Sequence, residues 1–107
     1  MVRLRSKPPP PGVLWIAKDR LGRSITLTEE RWRHIVEGHP AMDGLELAVK
    51  GALEKADETG TGNMPNSEVI YGRELGPARW LAVVVACDGD AGFILTAYPQ
   101  AKDPRSS

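Results

Sequence analysis

One uninterrupted apolar segment, residues 80–87, constrains the fold of this chain more than any other feature. Its eight residues read Trp-Leu-Ala-Val-Val-Val-Ala-Cys, so neither of its alternating faces is polar. Such a segment is typical of an interior strand that is covered on both faces. Eight residues are too few to cross a bilayer, and no signal-peptide pattern precedes them. We therefore predict a central strand of a globular domain and no membrane partner.

Length and composition predict one domain in a reducing compartment. A chain of 107 residues has room for one modest core. Its only cysteine, Cys87, has no partner for an intrachain disulfide, which favours the cytoplasm. Residues 13–100 hold nine lysines and arginines against thirteen acids, a net charge of −4. This balance argues against a protein that coats nucleic acid without specificity, so contact with RNA should use a local basic patch.

The proline content marks a boundary near the N-terminus. Residues 1–12 contain four consecutive prolines at positions 8–11 and three basic residues without an acid. Prolines favour an extended chain with few hydrogen bonds, so we predict a disordered basic tail over residues 1–12. A single α+β domain should occupy residues 13–102, and a short tail should follow over residues 103–107.

The first half of the domain predicts a hairpin and a helix. Residues 13–17 and 24–27 have the composition of strands and flank a turn that contains Gly22. Thr28 is a suitable N-cap for a helix. The helix should run to about Glu37, because a glycine and then a proline follow.

The second half predicts another helix and three strands. Asp43 and Glu46 resemble a capping box that starts a helix, which should end near Ala56. Residues 57–66 are polar and predict a loop. The segments with strand character are residues 68–75, 80–87 and 92–98. The order ββααβββ predicts an α+β fold in which helices cover one side of a three-stranded antiparallel sheet.

Polar side chains that suit phosphate chemistry recur at three places. Helical geometry directs His34 about 200° away from the apolar Trp32 and towards the outside. Strand alternation places Tyr71 and Arg73 on one face of their strand. It likewise pairs a threonine and a tyrosine, at positions 96 and 98, on the last strand. We expect these side chains and the outward edge of the first helix to meet in one cleft.

RNA cleavage without a metal requires residues of these types. A base removes the proton of a 2′-hydroxyl, an acid protonates the leaving oxygen, and fixed donors stabilise the phosphate. The unperturbed pKa of histidine, about 6.5, suits either proton transfer. The planar arginine fork binds two phosphate oxygens, while threonine and tyrosine donate hydrogen bonds. The sequence thus favours a ribonuclease site that uses no cofactor.

Four short motifs carry a resemblance to a known superfamily. They are Leu-Thr-x-x-Arg-Trp-x-His-Ile-x-x-x-His-Pro at 27–40, Val-Ile-Tyr-x-Arg at 69–73, Trp-Leu-x-Val-Val-Val at 80–85 and Thr-Ala-Tyr at 96–98. In this order the chain resembles phage and mobile-element toxin domains of the barnase–EndoU–colicin–RelE-like (BECR) nuclease superfamily, over about residues 13–102. The resemblance implies a BECR-like fold, a metal-independent RNase that acts on tRNA or mRNA, and an antitoxin or immunity partner.

Matching the motifs assigns roles to individual residues. The resemblance places the helical histidine at His34 and the closing hydroxyls on the last strand. We predict as catalytic His34, Arg73, Thr96 and Tyr98. We predict as substrate-binding Arg31, Arg33, Tyr71 and His39. An acidic residue often follows the His-Pro pair in such domains, whereas this chain has Ala41 there.

These residues also have ordinary structural explanations. His34 is compatible with a solvated helix surface, and His39 with a cap on the last helical carbonyls. Arg31 and Arg33 can form surface ion pairs with neighbouring acids. The two histidines are five residues apart, which is wrong for a helical metal pair, so no metal site is predicted. The rival function is a non-catalytic binding module of a phage or mobile element with the same fold, which the acidic domain favours.

Overall fold

The computed structural model describes residues 11–105. The tail predicted for residues 1–12 lies almost entirely outside these described residues, as do the last two residues of the C-terminal tail. The described elements are β1 (Val13–Lys18), β2 (Ser24–Thr28), α1 (Glu29–Gly38), a 3₁₀ turn (Pro40–Met42), α2 (Glu46–Lys55), β3 (Glu58–Thr61), β4 (Ser67–Arg73), β5 (Trp80–Asp88) and β6 (Ala91–Gln100).

The described strands form one mixed sheet of six, in the order β1-β2-β6-β5-β4-β3. The predicted fold, ββααβββ with a three-stranded antiparallel sheet, is therefore wrong. One cause is a parallel pairing of β2 with β6, which joins the N-terminal hairpin to the other strands over three residue pairs. Strand periodicity specifies which face of a strand is buried and not which strand becomes its neighbour, so this pairing could not be read locally.

The second cause is β3, which lies within the segment predicted to be a polar loop. Its four residues, Glu-Thr-Gly-Thr, pair antiparallel with β4 along the edge of the sheet. An edge strand with solvent on one side needs no apolar residues, and this one has none. Hydrophobic alternation, the main signal for a strand, is consequently missing here.

The first helix follows its prediction and the second departs from it. The Thr28 side chain accepts a hydrogen bond from the Arg31 N–H at 3.1 Å, so the predicted N-cap is confirmed. At the second helix the predicted capping box is wrong, because Asp43 ends the 3₁₀ turn. Gly44, at φ +84°, separates that turn from α2, which begins without a side-chain cap. The preceding turn buries Met42 completely, which fixes its position against the core.

The core lies between the two helices and one face of the sheet. Trp32 and Ile35 of α1 and Leu53 of α2 pack in one cluster with Leu81 and Val83 of β5. β5 is an interior strand, as predicted, and its residues 80–83 and 85 are buried. The opposite face of the sheet carries no helix in the described residues. Among residues 11–105, neither helix has the length and apolarity that a membrane crossing requires.

A network of ion pairs links the turn between β1 and β2 to β4. Asp19, whose side chain is 2% exposed, accepts from the Leu21 and Arg23 backbone N–H groups and from Arg23 Nε. The same guanidinium donates to Glu68 of β4 at 2.6 Å. Because a buried carboxylate requires partners of this kind, we interpret the network as structural.

Candidate functional site

The helix-free face of the sheet presents two rows of side chains across β4, β5 and β6. Tyr71, Ala82 and Tyr98 are paired in one row. Val69, Val84 and Thr96 form the next row. Directly paired residues of an antiparallel ladder point to the same face, so both rows lie on one surface. Three residues predicted from two distant motifs are thereby neighbours on this surface.

A cavity of about 440 Å³ opens above these rows. Its strand side includes Tyr71, Thr96 and Tyr98, and the turn between β3 and β4 contributes Asn63 and Met64. A volume of this size lies within the range of pockets that bind small ligands, about 300–1,000 Å³. We call this pocket the sheet cavity.

His39 contacts Tyr98 from the end of α1, although it does not itself line the sheet cavity. Its ring lies 5.6 Å from the Tyr98 ring, centroid to centroid, at an angle of 33°. The backbone N–H of His39 donates to the Ile35 carbonyl at 2.8 Å, so the helix cap uses the main chain and not the imidazole. His39 is half-buried, and hydrogen bonds to the described residues occupy neither of its ring nitrogens.

Arg73 lies one row beyond Tyr71, which corresponds to about 7 Å along a strand. Its guanidinium carbon is 4.9 Å from the centre of the Trp80 ring, and the Tyr71 ring meets the same indole edge-on. Arg73 Nε and Trp80 Nε1 are buried without a hydrogen-bond partner in the described residues. The stack fixes the guanidinium one row away from the sheet cavity, and the buried Nε is not accessible to a ligand.

Acidic groups surround the Arg73 end of the site. Glu58 is paired with Tyr71 across the β3–β4 ladder, and Arg105 lies 3.7 Å from its carboxylate. Arg105 also donates to Asp103 at 2.9 Å, and these bonds lower the pKa of Asp103 to about 2. An incoming phosphate is therefore better accommodated in the sheet cavity beside Tyr98, since no carboxylate lines that cavity.

Burial raises the pKa of Tyr71, and the neighbouring Tyr98 raises it further. The ordinary value is already 10.0, so the Tyr71 phenol is protonated at neutral pH. A protonated phenol donates a hydrogen bond and cannot act as a base. This property suits Tyr71 to binding.

A clamp at the end of β4 holds Arg73 in position. Asp57 accepts a hydrogen bond from the Arg73 backbone N–H at 2.8 Å, and Lys55 Nζ donates to the Arg73 carbonyl at 2.9 Å. The bond from the Arg73 N–H is the main cause that lowers the pKa of Asp57 below its ordinary 3.8. The ionised Asp57 carboxylate therefore stabilises the fold above pH 3.8. This stabilisation is lost as the pH falls from 3.8 through the lower pKa of the folded protein.

Asp57→Asn should lower the free energy of unfolding at pH 7 by less than about 1 kcal/mol, because this carboxylate is accessible to solvent. Urea denaturation of both proteins at pH 7 and at pH 3 measures the difference. The gap should be smaller at pH 3, because this pH lies below the ordinary pKa of 3.8, where the stabilisation by the ionised carboxylate declines. A gap that stays constant or widens at low pH would show that this carboxylate does not act through its charge.

Three other predicted residues lie elsewhere on α1. His34 is exposed, and its Nδ1 is 3.5 Å from a carboxylate oxygen of Glu37. Arg31 is also exposed and does not line the sheet cavity. Arg33 lines a separate groove of about 430 Å³ between α1 and the start of α2. The structure therefore brings Tyr71, Thr96 and Tyr98 together, with Arg73 and His39 beside them, and leaves these three apart.

Sequence reasoning missed the turn that closes the sheet cavity. Ser67 Oγ accepts from the Met64 N–H at 3.0 Å, and Gly62 N–H donates to the Ser67 carbonyl at 3.0 Å. A Cβ on Gly62 would lie 2.8 Å from Ser67 Cβ, so only glycine fits this close approach. Two glycines and the Pro-Asn pair at 65–66 were the available signal for a defined turn.

Residues 11–105 contain no group of three His, Cys, Asp or Glu side chains with the geometry of a metal site. No family model matches the chain, and no curated protein or solved structure matches it. The resemblance to the BECR superfamily accordingly stays a prediction that depends on the four motifs.

Proposed function

We propose that this protein is an endoribonuclease of toxin type that cleaves RNA by acid–base catalysis without a metal or cofactor. One observation carries the proposal. The free imidazole of His39 lies against the Tyr98 ring, beside a cavity that also exposes Thr96 and Tyr71. A proton carrier, hydroxyl donors and a ligand-sized pocket are thus adjacent, as metal-free phosphate chemistry requires.

The proposed reaction is attack of a ribose 2′-oxygen on the adjacent phosphorus. His39 takes the 2′-hydroxyl proton while the new P–O bond forms. The bond from phosphorus to the 5′-oxygen breaks, and the Tyr98 hydroxyl protonates the leaving oxygen. Thr96 donates to a non-bridging oxygen, where charge develops in the transition state. The products are a 2′,3′-cyclic phosphate and a 5′-hydroxyl.

The acid–base role that the motifs assigned to His34 goes to His39 in this proposal, and His34 has no role in the reaction. The contact between the His39 ring and Tyr98 favours His39 as the proton carrier, whereas His34 faces Glu37 on the exposed side of α1. Arg73 supplies a cation one row away and would bind a flanking phosphate of the RNA. The proposal includes a cytoplasmic location and an antitoxin that restrains the activity.

The test is to incubate the purified chain with RNA in the presence of a metal chelator. We expect cleavage with cyclic-phosphate ends, and Thr96→Val should slow it by about 10²-fold because one transition-state donor is lost. Thr26→Val is the matched control, since Thr26 is on β2 and does not line the sheet cavity. RNA that stays intact between pH 5 and pH 9 would contradict the function, and equal losses in both variants would contradict the site.

The groove between α1 and α2 supports a second candidate function, a non-catalytic binding module. Leu14, Trp32 and Val36 contribute apolar surface, and the acids on its rim are Glu29, Glu37, Asp43 and Glu46. Arg33 is the only cation among the described residues that line this groove. Such a surface fits an apolar segment with basic residues from a partner protein. Intact RNA in the cleavage assay would favour this function over the first.

A further inference from the structure

The sheet cavity extends well beyond the atoms that the proposed reaction uses. From Thr96 and Tyr98 it continues over Val69 and Val84 to Asn63 and Met64 in the β3–β4 turn. Catalysis at the phosphate leaves this far end without a role. Its lining combines apolar side chains from two strands with one amide, the pattern of pockets that bind flat, partly polar ligands.

The turn between β3 and β4 forms one side of the sheet cavity and is held in place by hydrogen bonds. Ser67 is buried, and its hydroxyl is hydrogen-bonded to both backbone groups of Met64. The Cys87 N–H donates to the Asn66 carbonyl at 3.0 Å, which ties the turn to β5. The Met64 side chain is nevertheless 63% exposed. Because methionine is flexible and apolar, Met64 can fold over a ring bound in the cavity and remove its own surface from water.

We propose that the far end of the sheet cavity binds one unpaired nucleobase next to the scissile phosphate, and that the substrate is therefore single-stranded RNA. This inference rests on the proposed ribonuclease function. Val69 and Val84 lie under the base, Met64 covers it, and the Asn63 amide pairs with its polar edge. A base within a duplex must first be unstacked and unpaired, which costs free energy, so an unpaired base enters the pocket preferentially.

The test measures binding separately from cleavage. The probe is a short oligodeoxynucleotide that contains the fluorescent base 2-aminopurine. It cannot undergo the proposed reaction because its sugars lack the 2′-hydroxyl, yet it retains the base. We expect the 2-aminopurine fluorescence of the single strand to change when the protein is added, and that of its duplex to stay the same. The double variant Asn63→Ala, Met64→Ala should weaken single-strand binding by at least about 10-fold, since it removes a hydrogen bond and an apolar contact to the base together. Leu21→Ala is the control, because Leu21 is 75% exposed in the β1–β2 turn.

The outcomes distinguish the two proposals. Equal binding of single strand and duplex, or unchanged binding by the double variant, would overturn the base pocket even if RNA is cleaved. A fluorescence change that depends on Asn63 and Met64, in a protein that leaves ribose-containing RNA intact, would support the pocket and refute the nuclease. Preferential cleavage of unpaired RNA, lost in the double variant, would support both.

Discussion

His39→Ala should lower the rate of RNA cleavage by about 10²- to 10⁴-fold, the range for loss of one acid–base group. His34→Ala should leave the rate within about 2-fold of wild type, because His34 takes no part in the proposed proton transfers. Both changes remove an imidazole from the same short stretch of chain, five residues apart. The expected difference arises because only the His39 ring contacts Tyr98 beside the sheet cavity.

Single-turnover cleavage with saturating enzyme is the appropriate measurement, since it isolates the chemical step from product release. His39→Gln provides a second variant that keeps a polar side chain of similar reach but cannot carry a proton at neutral pH. It should be as slow as the alanine variant. Thermal denaturation of each variant checks that the fold is intact. Retained activity in both His39 variants, with activity lost in His34→Ala, would restore the role that the motifs assigned to His34.

The secondary structure could be predicted wherever a short stretch of sequence determines it. Thr28 caps α1 because its hydroxyl accepts from the helix, and this needs no information from elsewhere in the chain. The interior position of β5 followed from its apolar length. The parallel pairing of β2 with β6 brings together segments about 65 residues apart, and nothing in either strand encodes the other as its partner.

The candidate site was predictable in part for the same reason. Alternation placed Thr96 and Tyr98 near one another. The antiparallel register then set Tyr71 in the same row as Tyr98, with Ala82 of β5 between them. The choice between the histidines was not predictable. It depends on how α1 ends beside β6, where His39 leaves the helix and the main chain alone satisfies the cap. A helical projection describes His34 and cannot describe a residue beyond the last turn.

Gly72→Ala should destabilise the protein by about 3 kcal/mol, the upper part of the usual range for overpacking. Gly72 lies on the helix-covered face of β4, where α2 approaches closely. A Cβ at this position would be 2.9 Å from Ala52 Cα and 2.6 Å from a methyl carbon of Leu75. The leucine can change rotamer, but the backbone of α2 can yield only if the whole helix moves away from the sheet.

Gly60→Ala is the matched control on the neighbouring strand. A Cβ there would have Tyr71 Cε2 as its nearest neighbour, at 3.9 Å, which is an ordinary contact. Alanine in a strand is favoured over glycine by about 0.5 kcal/mol, so this variant should be as stable as wild type or slightly more so. Thermal melts should separate the two variants by more than about 10 °C for a domain of this size.

The Gly72 substitution also connects packing to the candidate site. Gly72 stands between Tyr71 and Arg73, whose side chains point to the opposite face. If α2 keeps its position, β4 must bend towards the helix-free face of the sheet, and the side chains of Tyr71 and Arg73 move with it. Cleavage by Gly72→Ala, measured well below its melting temperature, should then fall with stability, whereas Gly60→Ala should cleave at the wild-type rate. Equal melting temperatures for the two variants would show that α2 lies farther from β4 than the 2.9 Å approach implies.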